Sequence, residues 1–279
     1  TPKHILLYNA FGWMPPYFVH LPLILNEDRS KMSKRKGNVA VEYYLAEGYL
    51  PEALLNFILL LGWNPKTNRE IFFLQEMTEN FDLKKINKSG AIFDLKKLNS
   101  INSYYIKKLS IDDFAMRSLP YLVNKGLLVK SNSQYKIIAT QEIIGFNKLK
   151  VILSLEQQRV DKLSQVGDSI KYLFSDKFDY DKNLLTWKQM AKAQIKESLM
   201  FSKNIINGIS DNKFDKKYLE SIFLEKIKKQ GKFNVGETLW PLRVALTGEK
   251  KSPSPFELIE VLGKNKALDR INNALDKIK

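Results

Sequence analysis

Val19-His20-Leu21-Pro22-Leu23-Ile24-Leu25, followed after the polar turn Asn26-Glu27-Asp28-Arg29-Ser30 by Lys31-Met32-Ser33-Lys34-Arg35, is the stretch whose reading decides the fold. The first run is short, apolar and rich in branched side chains, the composition of an interior strand in a parallel sheet. In open α/β sheets ligands sit outside the carboxyl ends of strands. Three cations and a hydroxyl crowded into Lys31 to Arg35 at such an end are placed to meet a polyphosphate. A solvated charge run has the same composition, so the flanking sequence has to choose between the two.

Working outward, Thr1-Pro2 opens a helix over 3–11 that Gly12 stops. Beyond the loop a short helix is expected near 41–47. A second is opened by Pro51 and closed by Gly62, with Ala53, Leu54, Phe57, Ile58 and Leu61 on its inner face. A helix near 75–80 precedes a longer one over 95–109, capped by Asp94, whose inner stripe is Leu98, Ile101, Tyr105 and Ile106. After residue 110 the signals are helical. Ser110 with Asp113, Thr186 with Gln189 and Ser254 with Glu257 are capping-box-like pairs that start helices near 111–125, 187–207 and 255–262. Periodic apolar positions add helices near 141–164, 168–174, 216–230, 234–246 and 264–278. Leu127 to Val129 and Tyr135 to Ile138 form the one place where a small ribbon competes. The chain reads as mainly α.

The 279 residues contain no cysteine, which removes disulfides and thiolate zinc sites, and His4 and His20 are the only histidines, so no metal site is expected. The longest apolar run, Leu54 to Trp63, is interrupted by Asn56 and falls far short of the ~20 residues needed to span a bilayer. No secretory pattern occurs at the N-terminus, and a soluble, cytoplasmic protein is expected. The net charge of +15 and pI near 9.6 point to a polyanionic partner. Residues 101–279 carry 32 basic and 20 acidic side chains, against 13 and 10 in residues 1–100, so most of the excess lies away from the loop. Genomic base composition can also produce a Lys- and Asn-rich chain, and charge alone leaves RNA binding open.

Specific motifs carry the argument further. His20 to Leu25 followed by Lys31 to Gly37 resembles the second signature of class I aminoacyl-tRNA synthetases, in the Lys-Met-Ser-Lys-Arg form of the glutamyl and glutaminyl branch. Gly48-Tyr49-Leu50-Pro51-Glu52-Ala53-Leu54-Leu55-Asn56-Phe57 and Leu60-Leu61-Gly62-Trp63 resemble the segment that follows this loop in glutamyl-tRNA synthetases. Pro241-Leu242-Arg243-Val244-Ala245-Leu246-Thr247-Gly248 resembles a motif of the bacterial glutamyl enzymes' anticodon-binding part. Glutaminyl enzymes read the anticodon with β-barrels, which would show many short alternating strands. The helical second half is therefore similar to the bacterial glutamyl type.

The resemblance implies a mainly α chain made of three parts: the end of a Rossmann-type catalytic domain with its loop in 1–40, a connecting stem-contact region in 41–109, and an all-helical anticodon-binding bundle in 110–279. The first class I signature, the His-Ile-Gly-His type, does not occur in the sequence. The chain is thus expected to be the C-terminal portion of a longer glutamate–tRNA ligase, with glutamate and most of the ATP held by a missing N-terminal half, and to be inactive alone.

The implied reaction joins glutamate to tRNA through glutamyl-adenylate, with Mg-ATP as substrate. On this resemblance Lys34 contacts ATP, Lys31 is the supporting cation, Ser33 a hydroxyl and backbone donor, Met32 an apolar anchor, and Arg35 agrees with the glutamyl branch. The backbone of Ile24 and Leu25 is a candidate reader of the adenine edge, with simple strand burial as the competing role. Arg243 is the candidate anticodon reader, because guanidinium both stacks on a base and hydrogen-bonds its edge. Lys250, Lys251 and Ser252, in the loop Glu249 to Pro253, are either phosphate and backbone contacts or an exposed helix connection. His20 is expected to be a partly buried core histidine, and Trp13, Trp63, Trp187 and Trp240 core or interdomain anchors. The expected partners are glutamate-accepting tRNA and ATP, with no membrane and a monomeric state. Two other readings remain: a glutaminyl or other class I synthetase fragment, and a tRNA-binding module without catalysis.

Overall fold

Apolar residues at helical spacing dominate this sequence, and helices dominate the fold. The computed structural model describes residues 1–32, 40–176, 179–210 and 213–278, and the chain divides into two compact units, Thr1–Lys108 and Leu109–Lys279.

The first unit runs α1 (Pro2–Ala10), β1 (Ile24–Leu25), α2 (Val41–Ala46), α3 (Pro51–Gly62), α4 (Leu74–Asn80), β2 (Ala91–Ile92) and α5 (Leu95–Lys108). Its core forms where α3 packs on α5, burying Ala53, Leu54, Phe57 and Leu61 against Leu98, Ile101, Tyr105 and Ile106. Apolar periodicity misplaces one position of α3, because Ile58 is exposed while Asn56 is fully buried. The Asn56 amide accounts for the difference. Its Nδ2 donates to Glu70 O at 2.9 Å, and its Oδ1 accepts from Phe72 N at 2.9 Å. The Tyr105 hydroxyl lies 2.7 Å from Phe72 O and 3.1 Å from Asn56 Oδ1. Burial pushes that phenol up to about 12, with Glu52 and Glu76 adding to the shift.

A buried polar group left without partners costs its desolvation energy in full. Asn56→Leu strands the Phe72 N–H and the Glu70 carbonyl, and is expected to destabilise this unit by about 2–4 kcal/mol. The measurement is a lowered urea midpoint at unchanged slope. A midpoint within error of wild type would show that Asn56 does not tether residues 70–72.

The run 19–25 departs from the interior strand its composition predicts. Only Ile24–Leu25 is β structure, paired in parallel with Ala91–Ile92, and Val19, Leu21 and Leu23 are exposed. The run's branched side chains suit a sheet interior, but among the described residues no strand other than β2 joins this sheet. His20 is likewise exposed rather than core, with its Nε2 2.7 Å from Thr1 Oγ1, and Trp13 is 63 % exposed and stacked on Phe11 at 4.9 Å rather than part of a core. Gly90 marks the close approach of the two strands. A Cβ there would stand 2.9 Å from both Leu23 O and Leu25 Cδ1, so the pairing excludes any larger residue.

The second unit begins with α6 (Ile111–Asn124), capped by Ser110, whose Oγ accepts from Asp113 N at 3.1 Å. The strands β3 (Leu128–Ser131), β4 (Gln134–Ile137) and β5 (Ile143–Ile144) follow as an antiparallel sheet. The competing ribbon is therefore the one that forms. Its third strand shortens the helix expected over 141–164 to α7 (Phe146–Gln157), with Gly145 as N-cap. Residues expected as a helix over 168–174 form only a single 3₁₀ turn at Lys171–Phe174. The bundle is completed by α8 (Lys192–Asn207), α9 (Lys216–Gln230), α10 (Val235–Thr247) and α11 (Pro255–Lys277), the last kinked at Gly263. α8 starts later than the Thr186–Gln189 pair predicts. Trp187 to Met190 form a turn instead, and Gln194 supplies the cap by accepting from Ala191 N at 2.8 Å.

Pro241 sits buried inside α10, where proline removes the bond to the carbonyl four residues back. That carbonyl, Glu237 O, is taken instead by the buried Ser198 of α8 at 2.7 Å. The missing amide hydrogen bond thus becomes a contact between two helices. Arg270 of α11 is a second fastener, donating to Leu246 O and Tyr172 O at 2.6 Å each and to Ser175 O at 3.0 Å. Burial draws its pKa down to about 10, still high enough to keep it charged at neutral pH.

Candidate nucleotide loop and nucleic-acid interface

Asn, Asp and Ser close turns by bonding to nearby backbone, and Asn26 to Ser30 do so at the end of β1. Ser30 N–H donates to Asp28 Oδ1 at 2.8 Å, Asn26 Nδ2 to Ser30 Oγ at 2.9 Å, and Asn26 N–H to Ser30 O at 2.8 Å. Arg29, at φ 62°, takes the left-handed position of the turn. The chain then doubles back, so that Lys31 stands opposite Leu25 in an antiparallel bridge and Met32 N–H donates to Ile24 O at 3.0 Å. Leu25 O accepts from Phe93 N at 2.8 Å. Four of the residues singled out from the sequence, Ile24, Leu25, Lys31 and Met32, are therefore adjacent. Lys31 is exposed and Met32 half-buried. Ser33, Lys34 and Arg35 lie outside the described residues.

The second constellation is built on α10. Arg243 is half-buried, with its guanidinium carbon 4.6 Å from the centroid of Trp240, three residues earlier on the same helical face. Trp240 is fixed in turn by its Nε1–H, which donates to Leu184 O at 2.8 Å, and by the ring of Trp187 at 4.9 Å. Gly236 makes room for that second indole, since a Cβ there would stand 2.7 Å from Trp187 Nε1. Arg243 Nη2 donates to Lys250 O at 2.8 Å, which brings the helix and the loop 249–253 together. The loop is held at both ends. Glu249 N–H donates to Thr247 Oγ1 at 3.1 Å, and Ser254 and Glu257 cap α11 reciprocally. Lys250 and Lys251 are exposed, and Ser252 is half-buried with its hydroxyl on Pro253 O at 3.3 Å.

Electrostatics keep Arg243 cationic. Burial lowers its pKa, the phenol of Tyr172 works against that shift, and guanidinium remains protonated well beyond neutral pH. Tyr172 is buried, its hydroxyl has no hydrogen-bond partner among the described residues, and burial pushes its pKa up. The arrangement presents a preoriented planar cation, backed by two indoles, beside two exposed lysines. Such a surface can stack on or hydrogen-bond a base while lysines meet phosphates. The sequence singled out Arg243 and its loop, which the fold brings together, and placed Trp240 only as a core or interdomain anchor, not under the guanidinium. The i, i+3 spacing of Trp240 and Arg243 carried that signal, whereas nothing local pointed to Tyr172.

Comparison with known proteins agrees with both halves of this description. Residues 1–100 match the family described as tRNA synthetases class I (E and Q), catalytic domain, and residues 113–275 match the family described as Anticodon binding domain. The chain is 37 % identical over 275 residues to a glutamate–tRNA ligase of Alkaliphilus metalliredigens, covering 97 % of this chain and 52 % of the relative. It is 38 % identical over 283 residues to that of Clostridium novyi, covering 100 % and 54 %. The chain spans about half the length of the curated relatives it matches. A crystal structure of a glutamate tRNA ligase from Elizabethkingia meningosepticum superposes with a TM-score of 0.79 at 27 % identity, over 99 % of this chain and 55 % of that one. With class I catalytic-domain sequence over its first hundred residues and the helical domain over most of the remainder, the chain belongs to the anticodon-binding-domain family of the class I tRNA synthetases.

Proposed function

We propose that this chain supplies the ATP-phosphate loop and the tRNA-binding helical unit of a glutamate–tRNA ligase, which attaches glutamate to tRNA through glutamyl-adenylate. The observation that carries the reading is that relatives named glutamate–tRNA ligase match continuously through both units rather than through one. The helical make-up of the second unit favours the glutamyl over the glutaminyl branch.

Activation is an in-line displacement at the α-phosphorus, in which charge builds on departing pyrophosphate. Lys34 and Lys31, with the Ser33 hydroxyl and Arg35, stabilise that charge more in the transition state than in the ground state. Met32 anchors the loop, Ile24 and Leu25 offer backbone to the adenine edge, and Mg²⁺ arrives with ATP as substrate. Arg243 reads the anticodon while Lys250, Lys251 and Ser252 hold its backbone. The ligase acts as a monomer in the cytoplasm. No helix among the described residues is long and apolar enough to cross a membrane.

The purified 279-residue chain is expected to bind glutamate tRNA with steep salt dependence, a slope in log K against log salt of roughly −0.7 to −0.9 for each phosphate neutralised. It is expected to catalyse no glutamate-dependent exchange of pyrophosphate into ATP, because no His-Ile-Gly-His-type segment is present. Salt-independent binding would remove the tRNA reading, and measurable exchange would remove the division of labour.

A further inference from the structure

The last four carbonyls of a helix have no amide partner within it, and at the end of α10 two of them are met from different directions. Val244 O accepts from Gly248 N at 2.7 Å, where Gly248, at φ 72°, turns the chain out of the helix. Leu246 O is taken from outside, by Arg270 Nη1 of α11 at 2.6 Å. A cation at this end also suits the helix dipole. The other arm of the guanidinium, Nη2, donates to Tyr172 O at 2.6 Å and Ser175 O at 3.0 Å. One buried fork, 4 % exposed, thus joins the end of α10 to the turn that carries Tyr172.

What leaves that end is the loop on which Arg243 depends. Thr247 Oγ1 donates to Arg243 O at 2.8 Å and accepts from Glu249 N–H at 3.1 Å, and the next residue supplies the carbonyl, Lys250 O, that receives Arg243 Nη2 at 2.8 Å. The Arg243 guanidinium is therefore held from two sides. Trp240 holds its face and is fixed by Leu184 and Trp187, independently of Arg270. The loop holds its edge, and the root of the loop is the turn that Arg270 grips. The gripped segment bears on Arg243 a second way, because the phenol of Tyr172 counters the effect of burial on the guanidinium. Only a planar fork can serve segments on both sides at once, whereas an ammonium is a point charge on a flexible stem.

We infer that Arg270 is a positioning residue for Arg243: by fastening Leu246 O to Tyr172 O and Ser175 O it fixes the turn from which Lys250 O reaches the Arg243 guanidinium, and so sets the discrimination that Arg243 exerts. Arg270 itself is buried and meets no ligand. The effect on discrimination rests on the proposed reading of Arg243, while the tether does not.

The test uses the full 279-residue chain and two readouts. In Arg270→Lys, which keeps the charge, amide hydrogen exchange over residues 243–251 is expected to quicken about tenfold, whereas Leu149→Ala, a core truncation in α7 of the same unit, should leave it in place. Binding of glutamate tRNA and of anticodon-replaced variants is then compared. Arg270→Lys is expected to lower cognate affinity about tenfold and to leave affinity for altered anticodons and the salt slope as in wild type, a split that general destabilisation would not produce. Thr247→Val is near-isosteric, loosens the same turn from inside, and should lose discrimination in the same way. Exchange unchanged in Arg270→Lys, or raised equally in Leu149→Ala, would overturn the tether. Discrimination lost in Arg243→Ala but intact in Thr247→Val would overturn the positioning role and leave Arg243 as the reader, even where Arg270→Lys does not fold. Discrimination intact in Arg243→Ala would remove the anticodon reading and the role of Arg270 in it, with the tether still decided by exchange.

Discussion

Replacing Lys34 by alanine in a full-length ligase that carries this chain is expected to slow glutamate activation by about 10²–10³-fold and to leave tRNA affinity nearly unchanged, the pattern of a donor used mainly in the transition state. Pyrophosphate departs with charge that an ammonium stabilises. Single-turnover formation of glutamyl-adenylate separates this from a binding defect, because lost ground-state contact would appear in the ATP concentration dependence instead. Near wild-type turnover in Lys34→Ala would remove Lys34 from the reaction and leave Lys31 and Arg35 as the loop's cations.

Arg243→Ala is expected to cost about 1–3 kcal/mol in binding of tRNA with the cognate anticodon, and far less with an altered one. The guanidinium is fixed in advance by Trp240 at 4.6 Å and by Lys250 O at 2.8 Å, so little ordering remains to be done on binding. Arg243→Lys keeps the charge but loses the planar stack. It should restore the salt dependence without restoring discrimination. Equal losses for cognate and altered anticodons in both variants would make Arg243 a phosphate contact.

The parts of this molecule that could be read from sequence are those decided within a few residues. Ser110 and Ser254 sit three residues before a carboxylate and cap their helices as expected. The stripe Leu98, Ile101, Tyr105 and Ile106 faces the core for the same local reason. Where a distant partner decides, local pattern gives way. Ile58 lost its inner position to Asn56 because residues 70–72 need the amide. Ile143–Ile144 became strand because β4 offered an edge. The run 19–25 has the composition of an interior strand, but β2 pairs with only its last two residues. At the candidate sites the motif residues were legible as chemistry. The indole platform under Arg243 depends on Leu184 and Trp187, and appears only once the chain is folded.

The measurement that bears most directly on the reading of this chain is equilibrium binding of the 279-residue protein to glutamate tRNA and to the same tRNA with each anticodon base replaced in turn. The account predicts a common salt slope for all of them and, for at least one replaced base, an affinity lowered by about 1–3 kcal/mol. Equal affinity for every anticodon would contradict it, because the helical unit would then hold tRNA by charge alone.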